Sequence, residues 1–224
     1  RDGTGSDRVK PRAESLDGLV HKRTRTGGEK TATMARMRTT VRTEELNGTS
    51  LIVEAATENE AIKIKILKNV EAMAGPDKII ATYTSSISIT RLAAALNNPE
   101  RFIGMHFFNS VPVMALVEII SGLRTSQATI DAVVDLSSKL GKTPIGVKNS
   151  AGFVVNRILC PMINEAIFAL QEGLATAEEI DAGMRLGCNH PIGPLALCDL
   201  VGLDVELAVM EVLYNAFNDP KYRP

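Results

Sequence analysis

The chain has 224 residues, of which 45% are hydrophobic and 23% are charged, and its net charge is −1. This composition is typical of a soluble globular protein and gives no overall attraction to nucleic acid or acidic lipid. No apolar run reaches the length of a membrane span, we recognise no signal sequence, and three cysteines without Cys-x-x-Cys spacing argue against a disulfide framework or zinc site. We therefore expect a reduced, cytoplasmic protein without metal or membrane contact.

Charge is distributed unevenly along the chain. Residues 1–50 hold eleven Lys/Arg against seven Asp/Glu, whereas the remainder holds fourteen against nineteen. Apolar residues at helical spacing, such as Leu16, Leu19 and Val20, predict a helical arm over 8–45 that is weakened at 24–28. The charge alone leaves open an RNA-binding arm. Because residues 1–50 contain no aromatic residue and no nucleic-acid-binding motif, we favour solvated helices and no nucleic-acid partner.

From Leu51 onward, strand patterns alternate with helix patterns. The predicted strands cover residues 51–56, 78–82, 102–108, 116–120 and 143–147. The predicted helices cover residues 58–73, a short segment capped by Ser88 or Thr90, and a segment from Ser126 to Leu140. Strands that alternate with helices indicate an α/β fold with a largely parallel sheet.

After residue 147 the pattern is helical. We predict a helix over 153–172 with a kink at Pro161, a second helix opened by a capping box at 176–179 and closed by Gly187, a turn at 191–194, and a final helix from Asp204 to Phe217. These patterns divide the chain into an α/β domain over 1–148 and an all-helical domain over 149–224.

Two titratable residues fall at neighbouring strands of the predicted sheet. His106 lies at the carboxyl end of the third strand, where open α/β sheets bind ligands, and Glu118 lies inside the apolar fourth strand. A buried carboxylate needs a partner, and His106 is a suitable one. Such a pair acts as a general acid/base. The alternatives are that Glu118 caps a helix or meets an arginine, and that His106 is a core residue.

Other polar side chains are expected at the same sheet edge. Ser85 follows the second strand, where its hydroxyl either binds a substrate oxygen or belongs to a turn that caps the next helix. Asn156 begins the long helix, and Glu54 and Glu58 flank the end of the first strand, a position suited to cofactor contacts. Gly3-Thr4-Gly5 is not a dinucleotide-binding turn, because no strand can precede it.

Five segments together resemble the 3-hydroxyacyl-CoA dehydrogenases, most closely the bacterial short-chain 3-hydroxybutyryl-CoA branch. They are LIVEAATEN (51–59), ATYTSSISIT (81–90), GMHFFNSVPVMALVE (104–118), GFVVNR (152–157) and NHPIGP (189–194). The resemblance implies a Rossmann-type NAD-binding domain followed by a helical dimerisation domain. It also implies a homodimer that interconverts L-3-hydroxyacyl-CoA and 3-ketoacyl-CoA with NAD.

The resemblance also implies roles for individual residues. In the catalytic group, His106 is similar to the base that takes the hydroxyl proton, Glu118 to its orienting carboxylate, Ser85 to the residue that binds the 3-oxygen, and Asn156 to the active-site asparagine. The implied cofactor contacts are Asp2 at the adenosine ribose, Glu58, Lys63, and Asn109 beside the nicotinamide.

The chain departs from the family pattern in several places. Tyr83 stands where the family usually has Asn, Ser110 and Ala151 replace prolines, and Ala115 replaces a lysine. The chain begins after the family's glycine-rich βαβ start and stops before its last helices, so we expect an incomplete Rossmann-type sheet. The alternative function is therefore a catalytically inactive fragment that retains acyl-CoA binding or dimerisation.

Overall fold

A computed structural model describes residues 26–224. The first described element is a helix, α1 (Gly27–Ala35), which buries none of its residues. It confirms a solvated helix within the predicted arm, and the rest of the arm before residue 26 lies outside the described residues. The predicted weak segment at 24–28 coincides with the start of this helix, where Thr26 and Glu29 form a capping box. Thr26 accepts from the Glu29 backbone N–H and Glu29 accepts from the Thr26 N–H, which satisfies donors at the helix terminus.

Five strands form one sheet in chain order. They are β1 (Leu51–Glu54), β2 (Ile79–Thr82), β3 (Phe102–Phe107), β4 (Leu116–Ser121) and β5 (Thr143–Lys148). Neighbours pair in parallel except β3 and β4, which are antiparallel. The predicted largely parallel α/β sheet is therefore confirmed. The first strand ends two residues early because the Glu54 carboxylate accepts from the Ala56 N–H and turns the chain.

Helices cover both faces of the sheet. α2 (Glu60–Ala74), α3 (Ile89–Ala93) and α4 (Gln127–Lys139) begin after Asn59, Ser88 and Ser126, whose side chains each accept a backbone N–H at the helix start. The α2 and α3 face packs Leu67 and Ile89 against Phe102 and Ile120. Since side chains alternate along a strand, His106 and Glu118 share this face.

Four helices follow the sheet. They are α5 (Val155–Gln171), which contains Pro161, α6 (Ala177–Gly187), α7 (Pro194–Val201) and α8 (Leu203–Phe217). The Thr176 capping box is present, but α7 was not predicted, and α8 begins after Gly202 rather than Asp204. Pro194 occupies the first turn of α7, where its missing N–H costs nothing. The division of the chain at 148/149 remains a prediction.

A buried lysine joins the ends of β1 and β2. Lys63 of α2 is 0% exposed, and its ammonium donates to Glu54 Oε2 at 2.6 Å, to Thr82 Oγ1 at 3.2 Å and to the Tyr83 carbonyl at 2.8 Å. The Thr82 hydroxyl donates to the same Glu54 oxygen at 2.7 Å. Because every ammonium proton is directed at a protein oxygen, this network fixes the sheet edge from which the next loop departs.

We expect Lys63→Met to destabilise the protein by about 3–5 kcal/mol, because it leaves the buried Glu54 carboxylate without its cation. Urea unfolding followed by circular dichroism measures the change. The matched control is Lys139→Met, which breaks the exposed Lys139–Asp135 pair and is expected to cost less than about 1 kcal/mol. Equal losses in the two variants would contradict the role given to Lys63.

The helical part buries a carboxyl group beside thiols. Glu206 of α8 is 4% exposed, and its Oε1 has no hydrogen-bond partner among the described residues. Cys160 and Cys198 are buried next to it. Burial raises the pKa of Glu206, and a hydrogen bond with the Cys160 thiol only partly offsets that rise. Ionisation of the Glu206 carboxyl therefore destabilises the folded protein.

We expect Glu206→Gln to stabilise the protein by about 1–3 kcal/mol at neutral pH. Because the folded-state pKa lies above the unfolded value, the folded protein holds more protons in the pH range just above the ordinary glutamate pKa. Its stability therefore falls as the pH rises through that range. The stabilisation by Glu206→Gln should therefore shrink as the pH is lowered to about 4. Thermal unfolding against pH measures the gain, with the exposed Glu211→Gln as control. A pH-independent difference would contradict this prediction.

Candidate active site

The central contact of the site joins two adjacent strands. His106 and Glu118 are register partners in the antiparallel β3–β4 pair, so their side chains leave the sheet side by side. His106 Nδ1 lies 2.6 Å from Glu118 Oε2, and the two residues are 4% and 0% exposed. Because a carboxylate only accepts, we assign the Nδ1 proton to the imidazole. The structure therefore brings together the predicted pair.

The other oxygen of Glu118 meets the beginning of α5. Glu118 Oε1 accepts from the backbone N–H groups of Val154 at 2.9 Å and Val155 at 3.1 Å. Gly152 allows this approach, since its φ of 70° suits glycine and a Cβ there would lie 2.9 Å from Leu213 Cδ2. The helix-capping alternative for Glu118 is thus present together with the histidine contact. One carboxylate fixes both the imidazole and the helix terminus.

Aromatic rings surround His106. The centroid of its imidazole lies 4.7 Å from the Phe108 ring, 5.6 Å from the Phe153 ring and 5.9 Å from the Tyr83 ring. Nε2 forms no hydrogen bond with a described residue, whereas Nδ1 is held by Glu118. The imidazole is therefore oriented at one nitrogen and left free at the other, an arrangement suited to proton transfer.

Glu58 shapes the loop that carries Ser85. Its Oε1 accepts from the Thr84 hydroxyl at 2.6 Å, the Ser85 N–H at 3.0 Å, and the Ser86 N–H and hydroxyl at 3.2 and 3.0 Å. The Ser85 hydroxyl forms no hydrogen bond with a described residue. The loop is thus held by its backbone, and the Ser85 side chain is left for a ligand.

Asn156 follows directly after the backbone groups that bind Glu118. It is the second residue of α5, and its amide is half-buried without a hydrogen-bond partner among the described residues. Asn156 is therefore next in the chain to residues that bind the His106–Glu118 pair, but the structure shows no hydrogen bond between Asn156 and His106. The Asn156 amide is therefore available to bind a ligand.

The residues expected to contact a cofactor have different environments. Asn109 is exposed just after β3, and Glu58 is exposed with an Oε2 that accepts from no described residue. Lys63 and Glu54 are both buried in the network with Thr82. A contact of either residue with the cofactor stays a prediction. Asp2 lies outside the described residues.

The open groups at this edge, Glu58 Oε2 and the Asn109 amide, are able to hydrogen-bond the hydroxyl and amide groups of a ligand. The free carboxylate oxygen of Glu58 can accept hydrogen bonds from hydroxyl groups, and the Asn109 amide can both donate and accept hydrogen bonds. Within residues 26–224, no group of three or more His, Cys, Asp or Glu is arranged to hold a metal ion. None of the described helices has the length and apolarity needed to cross a membrane.

Several features of the site were not found from the sequence. The Val154 and Val155 N–H groups and the ring of Phe153 reach the dyad from a distant segment, and no local pattern signals their approach. Lys63 had a usable signal: a lysine among the apolar residues of α2, nine residues after Glu54, faces the sheet and must pair with a carboxylate.

Both parts of the chain match models of one family. Residues 5–150 match the NAD binding domain of 3-hydroxyacyl-CoA dehydrogenase, and residues 152–224 match its C-terminal domain. A 3-hydroxybutyryl-CoA dehydrogenase of Clostridioides difficile is 49% identical over 209 residues, covering 93% of this chain and 74% of that protein. One from Bradyrhizobium diazoefficiens is 46% identical over 223 residues, covering 98% of this chain and 76% of that protein.

A solved structure agrees with these matches. The crystal structure of (S)-3-hydroxybutyryl-CoA dehydrogenase from Ralstonia eutropha superposes with a TM-score of 0.96 at 59% identity, covering all of this chain and 79% of that chain. The family models together span the α/β and helical parts in order. The chain belongs to the family of NAD-dependent 3-hydroxyacyl-CoA dehydrogenases.

Proposed function

We propose that the protein interconverts a short L-3-hydroxyacyl-CoA, namely 3-hydroxybutyryl-CoA, and its 3-ketoacyl-CoA. The observation that carries the proposal is the buried His106–Glu118 contact, which orients Nδ1 and leaves Nε2 free at the sheet edge. Oxidation of a secondary alcohol needs a base that accepts the hydroxyl proton at neutral pH, and imidazole is the side chain suited to this. Relatives with that activity match most of the chain.

In the proposed mechanism, His106 Nε2 takes the proton of the substrate's 3-hydroxyl group. When bound, NAD⁺ supplies the acceptor for the hydride from carbon 3. Glu118 stabilises the imidazolium that forms, because its Oε2 accepts the Nδ1 proton at 2.6 Å. In the reverse direction, the imidazolium returns the proton to the 3-oxygen.

Ser85 and Asn156 hold the substrate in this proposal. The Ser85 hydroxyl donates to the 3-oxygen, and the loop fixed by Glu58 keeps that hydroxyl in place. The Asn156 amide binds substrate beside the imidazole. Glu58 Oε2 and Asn109 hold the nicotinamide–ribose end of the cofactor, and Lys63 supports this edge by joining the strand ends. A direct contact of Lys63 with the cofactor remains a prediction. Asp2 at the adenosine ribose remains a prediction.

A homodimer through the helical part is also proposed. Large apolar side chains are exposed on α6, α7 and α8, among them Leu186 at 86%, Leu200 at 76% and Leu203 at 61%. A surface with several such residues favours association with another protein. A cytoplasmic location and the lack of a nucleic-acid partner stay predictions.

We expect His106→Gln to lower the turnover of NADH with acetoacetyl-CoA by about 10²–10⁴-fold, the usual contribution of a general base. Glu118→Gln should lower it over the same range, since the amide no longer stabilises the imidazolium. NADH absorbance measures the rate. The matched control is His190→Gln, at a histidine outside the site, which should retain the rate of the unmodified chain. A normal rate in His106→Gln would reject the assigned base.

The same assay separates the dehydrogenase from the alternative of an inactive fragment. Turnover by the unmodified chain supports the enzyme. A folded chain that binds acetoacetyl-CoA in calorimetry, but neither binds nor oxidises NADH, would support the fragment.

A further inference from the structure

The ring of Tyr83 lies beside the imidazole, 5.9 Å from it between centroids. Its backbone N–H donates to the Glu54 carbonyl at 2.7 Å, and its carbonyl accepts from Lys63 at 2.8 Å. Both backbone groups of Tyr83 are therefore fixed by neighbouring elements. The side chain is half-buried, and its hydroxyl forms no hydrogen bond with a described residue.

The spacing of the rings limits how a substrate reaches His106. A flat group between two rings needs about 3.5–4.0 Å on each side, or about 7–8 Å between ring centroids. The imidazole lies 5.9 Å from Tyr83, 4.7 Å from Phe108 and 5.6 Å from Phe153. No substrate group fits between the imidazole and any of these rings, so the reacting carbon must approach along the Nε2 side.

We propose that Tyr83 determines acyl-chain specificity: its ring limits the substituent on carbon 3 and restricts the enzyme to short acyl groups. This inference rests on the proposed function. In the proposed mechanism carbon 3 carries the oxygen that His106 Nε2 binds. The Tyr83 ring centroid lies 5.9 Å from that imidazole, which makes the ring a neighbour of the reacting carbon. The wall around the imidazole is aromatic and apolar, which suits the hydrocarbon end of an acyl group.

A smaller side chain at this position, such as asparagine, would open that space. An asparagine side chain lacks the ring, so Tyr83→Asn removes the Tyr83 ring from beside the imidazole and leaves the backbone contacts with Glu54 and Lys63 in place. Tyr83→Phe keeps the ring and removes only the hydroxyl. The two variants therefore separate the steric effect of the ring from any effect of its hydroxyl.

The test compares kcat/KM for a series of 3-ketoacyl-CoA substrates from four to ten carbons, with NADH. Tyr83→Asn should raise the ratio of eight-carbon to four-carbon kcat/KM by at least about tenfold, the usual discrimination of an apolar pocket against extra methylenes. Tyr83→Phe should keep the ratio of the unmodified chain. Tyr214→Asn, the same change at a partly exposed tyrosine of α8, is the matched control and should also keep it.

Three outcomes decide the inference. A raised ratio in Tyr83→Asn alone supports it. An unchanged ratio, or an altered KM for NADH that is equal for all chain lengths, overturns the inference and leaves the proposed function intact. Absence of turnover in the unmodified chain with every substrate overturns both.

Discussion

The arrangement of the site depends on one buried carboxylate. Glu118 is fully buried, and its two oxygens accept three hydrogen bonds, from the His106 imidazole and from two N–H groups at the start of α5. A carboxylate without such partners is costly to bury, so the imidazole and the helix stabilise it together. The sheet and the helical part thereby meet at Glu118, the group that orients the proposed base His106.

Much of this arrangement is readable from the sequence because it is local. Side-chain caps at Asn59, Ser88, Ser126 and Thr176 start helices through contacts within four residues. The His106–Glu118 pair is also accessible, because the two residues lie twelve apart on consecutive strands and an apolar strand cannot hold an unpaired glutamate.

The remainder depends on contacts between distant segments. Lys63 resembles a cofactor contact in its motif, yet its partners on the ends of β1 and β2 use all of its protons. Glu118 could be read as a histidine partner or a helix cap, and its two oxygens make it both. The aromatic enclosure of His106 combines Tyr83, Phe108 and Phe153 from three loops. Periodicity and capping signals do not report such convergence.

The most direct test of this account is the tautomer of His106, measured by ¹⁵N NMR of labelled protein at neutral pH, with His106→Gln used to assign the signal. We expect a proton on Nδ1, directed at Glu118, and an Nε2 without a proton, ready to accept one. A neutral ring that carries its proton on Nε2 would contradict the account, since the imidazole could not then act as the base at the sheet edge.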